Sequence, residues 1–187
     1  MSDAPPARGP SVRTIPDGDT HERLVCAECG YVQYDNPKIV VGAVCAYEDR
    51  LLLCRRAINP RKGFWVFPAG YLELNEAVES GAAREVREES GAHAALDGLL
   101  AVYTIPRISQ VQIIYRAHLT IPDLAPGPET IEARLFRWEE VPWDDLAFPT
   151  VHWALKHHRE VRGLAGFAPR SNPPGENANY IKTAAAP

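Results

Sequence analysis

The sequence predicts a chain of α and β elements built on a mixed sheet, as either an α+β fold or an α/β/α sandwich. Three observations predict it. Segments with strand character outnumber segments with helical character along the 187 residues. They occupy one body, residues 24–162, close to the size of a single domain. Apolar residues make up 45% and charged residues 24%, enough of each for a packed core under a solvated surface.

The elements follow in order. Four of the 17 prolines lie in residues 1–20 and four more in residues 163–187. Both ends are poor in large apolar side chains, so 1–22 and 163–187 are expected to be disordered tails. Residues 39–47 form a continuous apolar run with three valines and read as a buried strand. Glu48-Asp49-Arg50 turns that run into 51–56, predicting a hairpin. Residues 64–67 are a short aromatic strand stopped by Pro68-Ala69-Gly70. Residues 76–90 read as a helix with Asn75 as N-cap and Gly91 after the last turn. Residues 99–105 and 111–119 are two further strands, and in the second Val111, Ile113, Tyr115, Ala117 and Leu119 share one face. A loop at 122–128, a strand at 133–138 and a closing helix at 150–161 complete the body.

Composition excludes several classes. A formal charge of −4 argues against a broad nucleic-acid-binding surface. No apolar run approaches a membrane span, and MSDAPPARGP lacks the apolar core of a secretory signal. Four cysteines are too few for a disulfide scaffold. The expectation is therefore a cytoplasmic protein with reduced thiols and neither a membrane nor a nucleic-acid partner.

The helix at 76–90 carries carboxylates in an unfavourable place. With Val78 at zero on a wheel of about 100° per residue, Ala82 and Val86 define a core stripe near 40° and 80°. Glu85 and Glu89 fall near −20° and +20°, in the continuation of that stripe, and Glu88 lies at its edge near −80°. Acidic groups near a helix C-terminus oppose the macrodipole by about 0.3–1 kcal/mol each. Glu85 and Glu89 also form a like-charge i,i+4 pair. A solvated acidic face is the ordinary explanation of such a sequence, but the wheel puts these groups on the wrong side for it. Convergent carboxylates suit a hard divalent cation, Mg²⁺ or Mn²⁺.

Gly70, Glu76 and the run Arg84-Glu85-Val86-Arg87-Glu88-Glu89-Ser90-Gly91 resemble the Nudix box, eight fixed residues over 22 positions. The final aliphatic position of the box is Ala92. The resemblance implies the Nudix α/β/α sandwich over residues 39–162 and hydrolysis of a nucleoside diphosphate linked to another moiety. It implies Glu85, Glu88 and Glu89 as metal ligands, Arg84 as the group that orients them, and Glu76 as a brace for the loop. Gly91 belongs to the same structural frame.

Cys26-x-x-Cys29-Gly30, Asn36-Pro37-Lys38 and Ile131-Glu132-Ala133-Arg134-Leu135-Phe136 are similar to a narrower group of zinc-ribbon Nudix proteins and to the plant enzyme that cleaves FAD and ADP-ribose. That similarity nominates Glu132 as a further metal ligand. It implies FAD, ADP-ribose or NADH as substrate. The ribbon itself is incomplete: residues 23–38 hold one knuckle, and zinc is doubtful because a structural site needs four ligands. Without zinc, this region is expected to act as a packing flap or homodimer contact.

Arg55, Arg56, Arg61 and Lys62 form a basic patch in which Arg55 and Arg56, with Gly70, are candidate substrate-binding residues. Cys45 and Cys54 read as buried thiols, and His152, His157 and His158 as ordinary helix residues. Two rival readings are a catalytically idle Nudix-like sensor of ADP-ribose or nucleotide, and a zinc-ribbon nucleic-acid binder. The first would be favoured by loss of a box glutamate, and none is lost. The second would need a complete ribbon and a basic surface.

Overall fold

The computed structural model describes residues 9–178. The chain divides into two compact units, Met1–Pro37 and Lys38–Pro187.

The first unit is a small antiparallel sheet of β1 (Val12–Thr14), β2 (Arg23–Val25) and β3 (Val32–Gln33), in that spatial order. Asp19 organises the connection between β1 and β2. Its carboxylate accepts the N–H groups of Thr20 and His21 and pairs with Arg23 at 2.9 Å. Those bonds, the Arg23 bond foremost, hold its pKa down at about 2. Residues 9–22 thus carry a strand and an anchored turn, where composition alone predicted a tail. Low apolar content misleads because these contacts are polar. Residues 1–8 of that expected tail lie outside the described residues.

The second unit is a seven-stranded mixed sheet with a helix on each face. Its strands are β4 (Lys38–Tyr47), β5 (Arg50–Arg56), β6 (Trp65–Val66), β7 (Ala69–Tyr71), β8 (Ala94–Ile105), β9 (Gln110–Leu119) and β10 (Thr130–Arg137). The main order is β10-β5-β4-β9-β8, with β4 and β9 parallel and the other neighbours antiparallel. β4 and β5 pair only beside their turn, at Ala46–Leu51 and Tyr47–Arg50, and then diverge. β6 fills the fork on the β5 side and β7 on the β4 side. Gly42 permits this close approach, since a Cβ there would lie 2.5 Å from the Pro68 carbonyl oxygen.

Alternation along β4 separates two cores. Val41, Ala43 and Cys45 pack with Ala82 and Val86 of helix α1 (Val78–Ser90). Val44 packs on the other face with Trp153 and Leu155 of helix α2 (Pro149–Glu160). The architecture is therefore the sandwich rather than a segregated α+β fold. The shared face of β9 also holds: Tyr115, Ala117 and Leu119 belong to the α1-side core.

Two local expectations differ. The helix begins at Val78 with Ala77 as its N-cap, while Asn75 takes a left-handed φ of 63°. An asparagine tolerates that region, so the residue that looked like a cap serves the preceding loop. Residues 163–178 also depart from the expected tail. Arg170 exchanges backbone hydrogen bonds with Leu100 and Val102 of β8. The Asn172 side chain then accepts from the Thr104 N–H at 2.9 Å and donates to the Thr104 carbonyl at 2.8 Å. A side-chain amide reproduces the pattern of a strand backbone there, which apolar content cannot reveal. Residues 179–187 lie outside the described residues. No helix among the described residues is long and apolar enough to cross a membrane.

Candidate active site

α1 delivers the acidic side chains, and its ends are fixed by the segments around it. At the C-terminus Gly91 takes a φ of 71° and its N–H bonds the Arg87 carbonyl. Ala125 and Gly127, in the loop before β10, donate to the carbonyls of Ser90 and Glu89. The last turn is thereby satisfied without a basic cap, leaving its carboxylates to point elsewhere.

Arg84 organises the near side of the site. It bonds both carboxylate oxygens of Glu76, at 2.8 and 2.9 Å. It also reaches Glu85 at 2.7 Å, Glu88 at 2.9 Å and the Tyr71 carbonyl at 3.0 Å. Its guanidinium holds the Glu76 carboxyl down at about 2, with the Glu73 N–H assisting, and its own pKa is raised by Glu76. Gly70 lies under Glu85 so closely that any Cβ at 70 would overlap the carboxylate. The structure therefore brings Gly70, Glu76, Arg84, Glu85 and Glu88 into one bonded group, with Gly91 closing the helix behind them.

Glu89 differs. It accepts the Ala69 N–H, yet its Oε2 is buried with no hydrogen-bond partner. Burial, then the charge of Glu85, pushes its pKa up to about 8. Glu85 is also raised, chiefly by burial. Among the described residues no three His, Cys, Asp or Glu side chains stand ready around one ion position. The reason is visible in the bonds above: Arg84 draws Glu85 and Glu88 toward itself. The donor set nevertheless fits a hard divalent cation, since the Glu89 oxygen is buried without a partner and both Glu85 and Glu89 are raised chiefly by burial.

Two arginines predicted as a pair are separated by the strand alternation. Arg56 shares the α1 face of β5 with Leu52 and Cys54, acts electrostatically on Glu89, and has its own pKa lowered by burial. Arg55 has the opposite parity and bonds the Gly63 carbonyl. Glu132 pairs with Arg55 across the β5–β10 register, beyond a bulge at Thr130/Glu132. Alternation groups it with Phe136 of the α2-side core, while Ala133 and Leu135 face α1. Its placement thus departs from the expectation of a ligand beside Glu89. Glu129, which sequence reasoning did not single out, is the acid from this region whose charge acts on both Glu85 and Glu89. Only its position just before a bulged strand could have suggested it. A concavity of about 350 Å³ beside β8 is lined by Val102, Thr104, Asn172 and Glu176 and includes none of these carboxylates.

The sandwich thus presents a carboxylate-bearing helix beside a glycine-bearing loop. A model of the NUDIX domain matches residues 36–158, and a model of the Nudix N-terminal zinc ribbon matches residues 9–35. The chain belongs to the Nudix hydrolase family. It is 42% identical to a NUDIX hydrolase from Nitrosomonas europaea of solved structure, with a TM-score of 0.82 over 91% of this chain and 98% of that one. It is 31% identical to an ADP-ribose pyrophosphatase from Methanocaldococcus jannaschii, over 63% of this chain and 71% of the relative. It is 33% identical to the NAD-capped RNA hydrolase NudC of Stutzerimonas stutzeri, over 64% of this chain but 43% of that protein.

Proposed function

We propose that this Nudix pyrophosphohydrolase cleaves the diphosphate that joins a nucleoside to a second moiety, with ADP-ribose the foremost substrate and FAD and NADH in the same class. The observation that carries the reading is the buried, orphaned carboxylate oxygen of Glu89 beside a second desolvated glutamate, Glu85. Glu85 and Glu89 would hold Mg²⁺ or Mn²⁺, with Glu88 assisting once released from Arg84. When bound, the cation neutralises the diphosphate and acidifies a water.

This chain's own residues supply the rest. Glu76 anchors Arg84, and Arg84 sets the orientation of Glu85 and Glu88. Gly70 clears the space that Glu85 needs. Arg56 carries fixed positive charge on the same side as Glu89 and is suited to a diphosphate oxygen. Glu89, once deprotonated, is suited to a cation or to accepting a proton. The M. jannaschii relative supports ADP-ribose as the first substrate to try.

The test is a panel of ADP-ribose, FAD, NADH, NAD-capped RNA fragments and nucleoside triphosphates, with Mg²⁺, Mn²⁺ or a chelator. Chromatography after reaction in oxygen-18 water reads the products. Release of AMP with ribose 5-phosphate, FMN or reduced nicotinamide mononucleotide is expected. Triphosphates cleaved far faster than every dinucleotide-type substrate would overturn the substrate class. Tight ADP-ribose binding without turnover would instead make the domain a sensor.

A further inference from the structure

The model matched at residues 9–35 is named for a zinc ribbon, and the residues of this chain do not fit one. A structural zinc takes four ligands in a tetrahedron. Of the four cysteines, Cys45 and Cys54 lie on β4 and β5, buried in the core of the second unit. Residues 4–10 read Ala-Pro-Pro-Ala-Arg-Gly-Pro, with no thiol or imidazole. His21 is the sole histidine of Met1–Pro37, and its Nδ1 is bonded to the Thr20 hydroxyl at 2.9 Å. Among the described residues no cluster of three ligating side chains exists there.

What remains is a dithiol on a tight turn. The Cys26 N–H bonds the Tyr31 carbonyl at 2.8 Å, and the Gly30 N–H bonds the Cys26 carbonyl at 2.9 Å. Gly30 takes a φ of 72°, which lets the chain close so sharply. Within the turn, the backbone N–H groups of Cys29 and Glu28 and the Cys29 thiol favour the Cys26 thiolate and hold its pKa down. The turn closed by the Cys26 carbonyl and the Gly30 N–H holds both cysteines. Cysteines three apart in a turn also meet the Cα separation that a disulfide needs. Cys26 is buried and Cys29 exposed. The other two thiols form a built-in contrast, since burial raises both and removes them from solvent.

We propose that Cys26 and Cys29 close a reversible intramolecular disulfide by exchange with a low-molecular-weight disulfide, in place of coordinating zinc. The exposed Cys29, as thiolate, attacks one sulfur of the external disulfide. A mixed disulfide forms and one small thiolate leaves. The Cys26 thiolate then attacks the Cys29 sulfur, forming the Cys26–Cys29 bond and expelling the Cys29-bound small thiolate. Two protein thiols are oxidised, one external disulfide is reduced to two thiols, and the two protons lost by the cysteines protonate those leaving groups. The hydrogen bonds to Cys26 favour its thiolate and so suit it to the resolving step.

The test uses the full chain, purified without chelator, together with Cys26→Ser and Cys29→Ser. Each is equilibrated over a range of glutathione to glutathione-disulfide ratios, alkylated, and read by intact mass and peptide mapping, with zinc measured by elemental analysis. The wild type is expected to lose the mass of two hydrogens, mapped to Cys26–Cys29, while Cys45 and Cys54 stay reduced. Cys26→Ser is expected to retain one glutathione on Cys29, because the resolving thiol is gone. Should that variant fail to fold, Cys29→Ser must still show no loss of two hydrogens. Zinc at one per chain, or one per two chains, that disappears in either variant would overturn the proposal. So would full alkylation of both cysteines in the most oxidising buffer.

Discussion

Glu76, just before α1, and Glu89, in its last turn, live in opposite electrostatic worlds. Glu76 meets a guanidinium through two oxygens and is held down at about 2. Glu89 has one orphaned oxygen, a like-charged neighbour in Glu85, and is pushed up to about 8. One carboxylate is complete within the protein, and the other is complete only with something positive added. The difference teaches which glutamates of an acidic box are frame and which await a cation, a distinction the spacing of the residues does not contain.

The sharpest way to break the comparison is Glu89→Gln. It keeps the volume and removes the charge, so turnover of the preferred substrate should fall by about two to four orders of magnitude while circular dichroism stays native. Arg84→Gln attacks the other side. It frees Glu85 and Glu88 but strands Glu76, so the thermal midpoint should drop by several degrees and kcat by about 10–100-fold. If Arg84→Gln leaves the midpoint unchanged, Glu76 is not the satisfied partner described above.

Smaller effects separate neighbours. Arg56→Ala should raise KM about 10-fold through loss of a charge-assisted contact, whereas Arg55→Ala should change it by less than about twofold. Equal effects of the two would contradict the split across β5. Glu129→Gln should lower the pH at which Glu89 releases its proton, read by carboxyl carbon NMR of metal-free protein, and Glu132→Gln should leave it in place. A Glu132 variant that moves this titration more than the Glu129 variant would return Glu132 to the site.

Much of this is legible in the sequence alone. The valine run of β4 and the hairpin to β5 follow from continuous apolar residues and a polar turn, a pattern that leaves little choice. The helical wheel correctly put Glu85 on the buried face, where it is 8% exposed. It could not see Arg84 claiming Glu85 and Glu88, because those bonds depend on where β7 and its loop bring Glu76 and the Tyr71 carbonyl. β7 itself is three residues, Ala-Gly-Tyr, with no periodicity to find; it exists because β4 and β5 diverge and leave a vacant edge. The separation of Arg55 from Arg56 was available from strand period alone. The role of Glu129 and the docking of residues 163–178 on β8 required tertiary contacts that no local pattern encodes.

In the metal-free protein Glu89 is held desolvated, and Arg56 and the Ala69 N–H compensate it only in part. A carboxyl whose folded pKa exceeds its unfolded value stays protonated while the unfolded chain has already ionised. Its contribution to stability therefore falls as pH rises from the ordinary glutamate value of 4.5 to about 8 and is level beyond. The direct measurement is urea denaturation of metal-free wild type and Glu89→Gln at steps from pH 4.5 to 8.5. Wild type should lose stability relative to Glu89→Gln by up to about 1 kcal/mol per pH unit across that window, and saturating Mg²⁺ should reverse the ranking at high pH. Two curves that run parallel from pH 4.5 to 8.5, with no response to Mg²⁺, would contradict it.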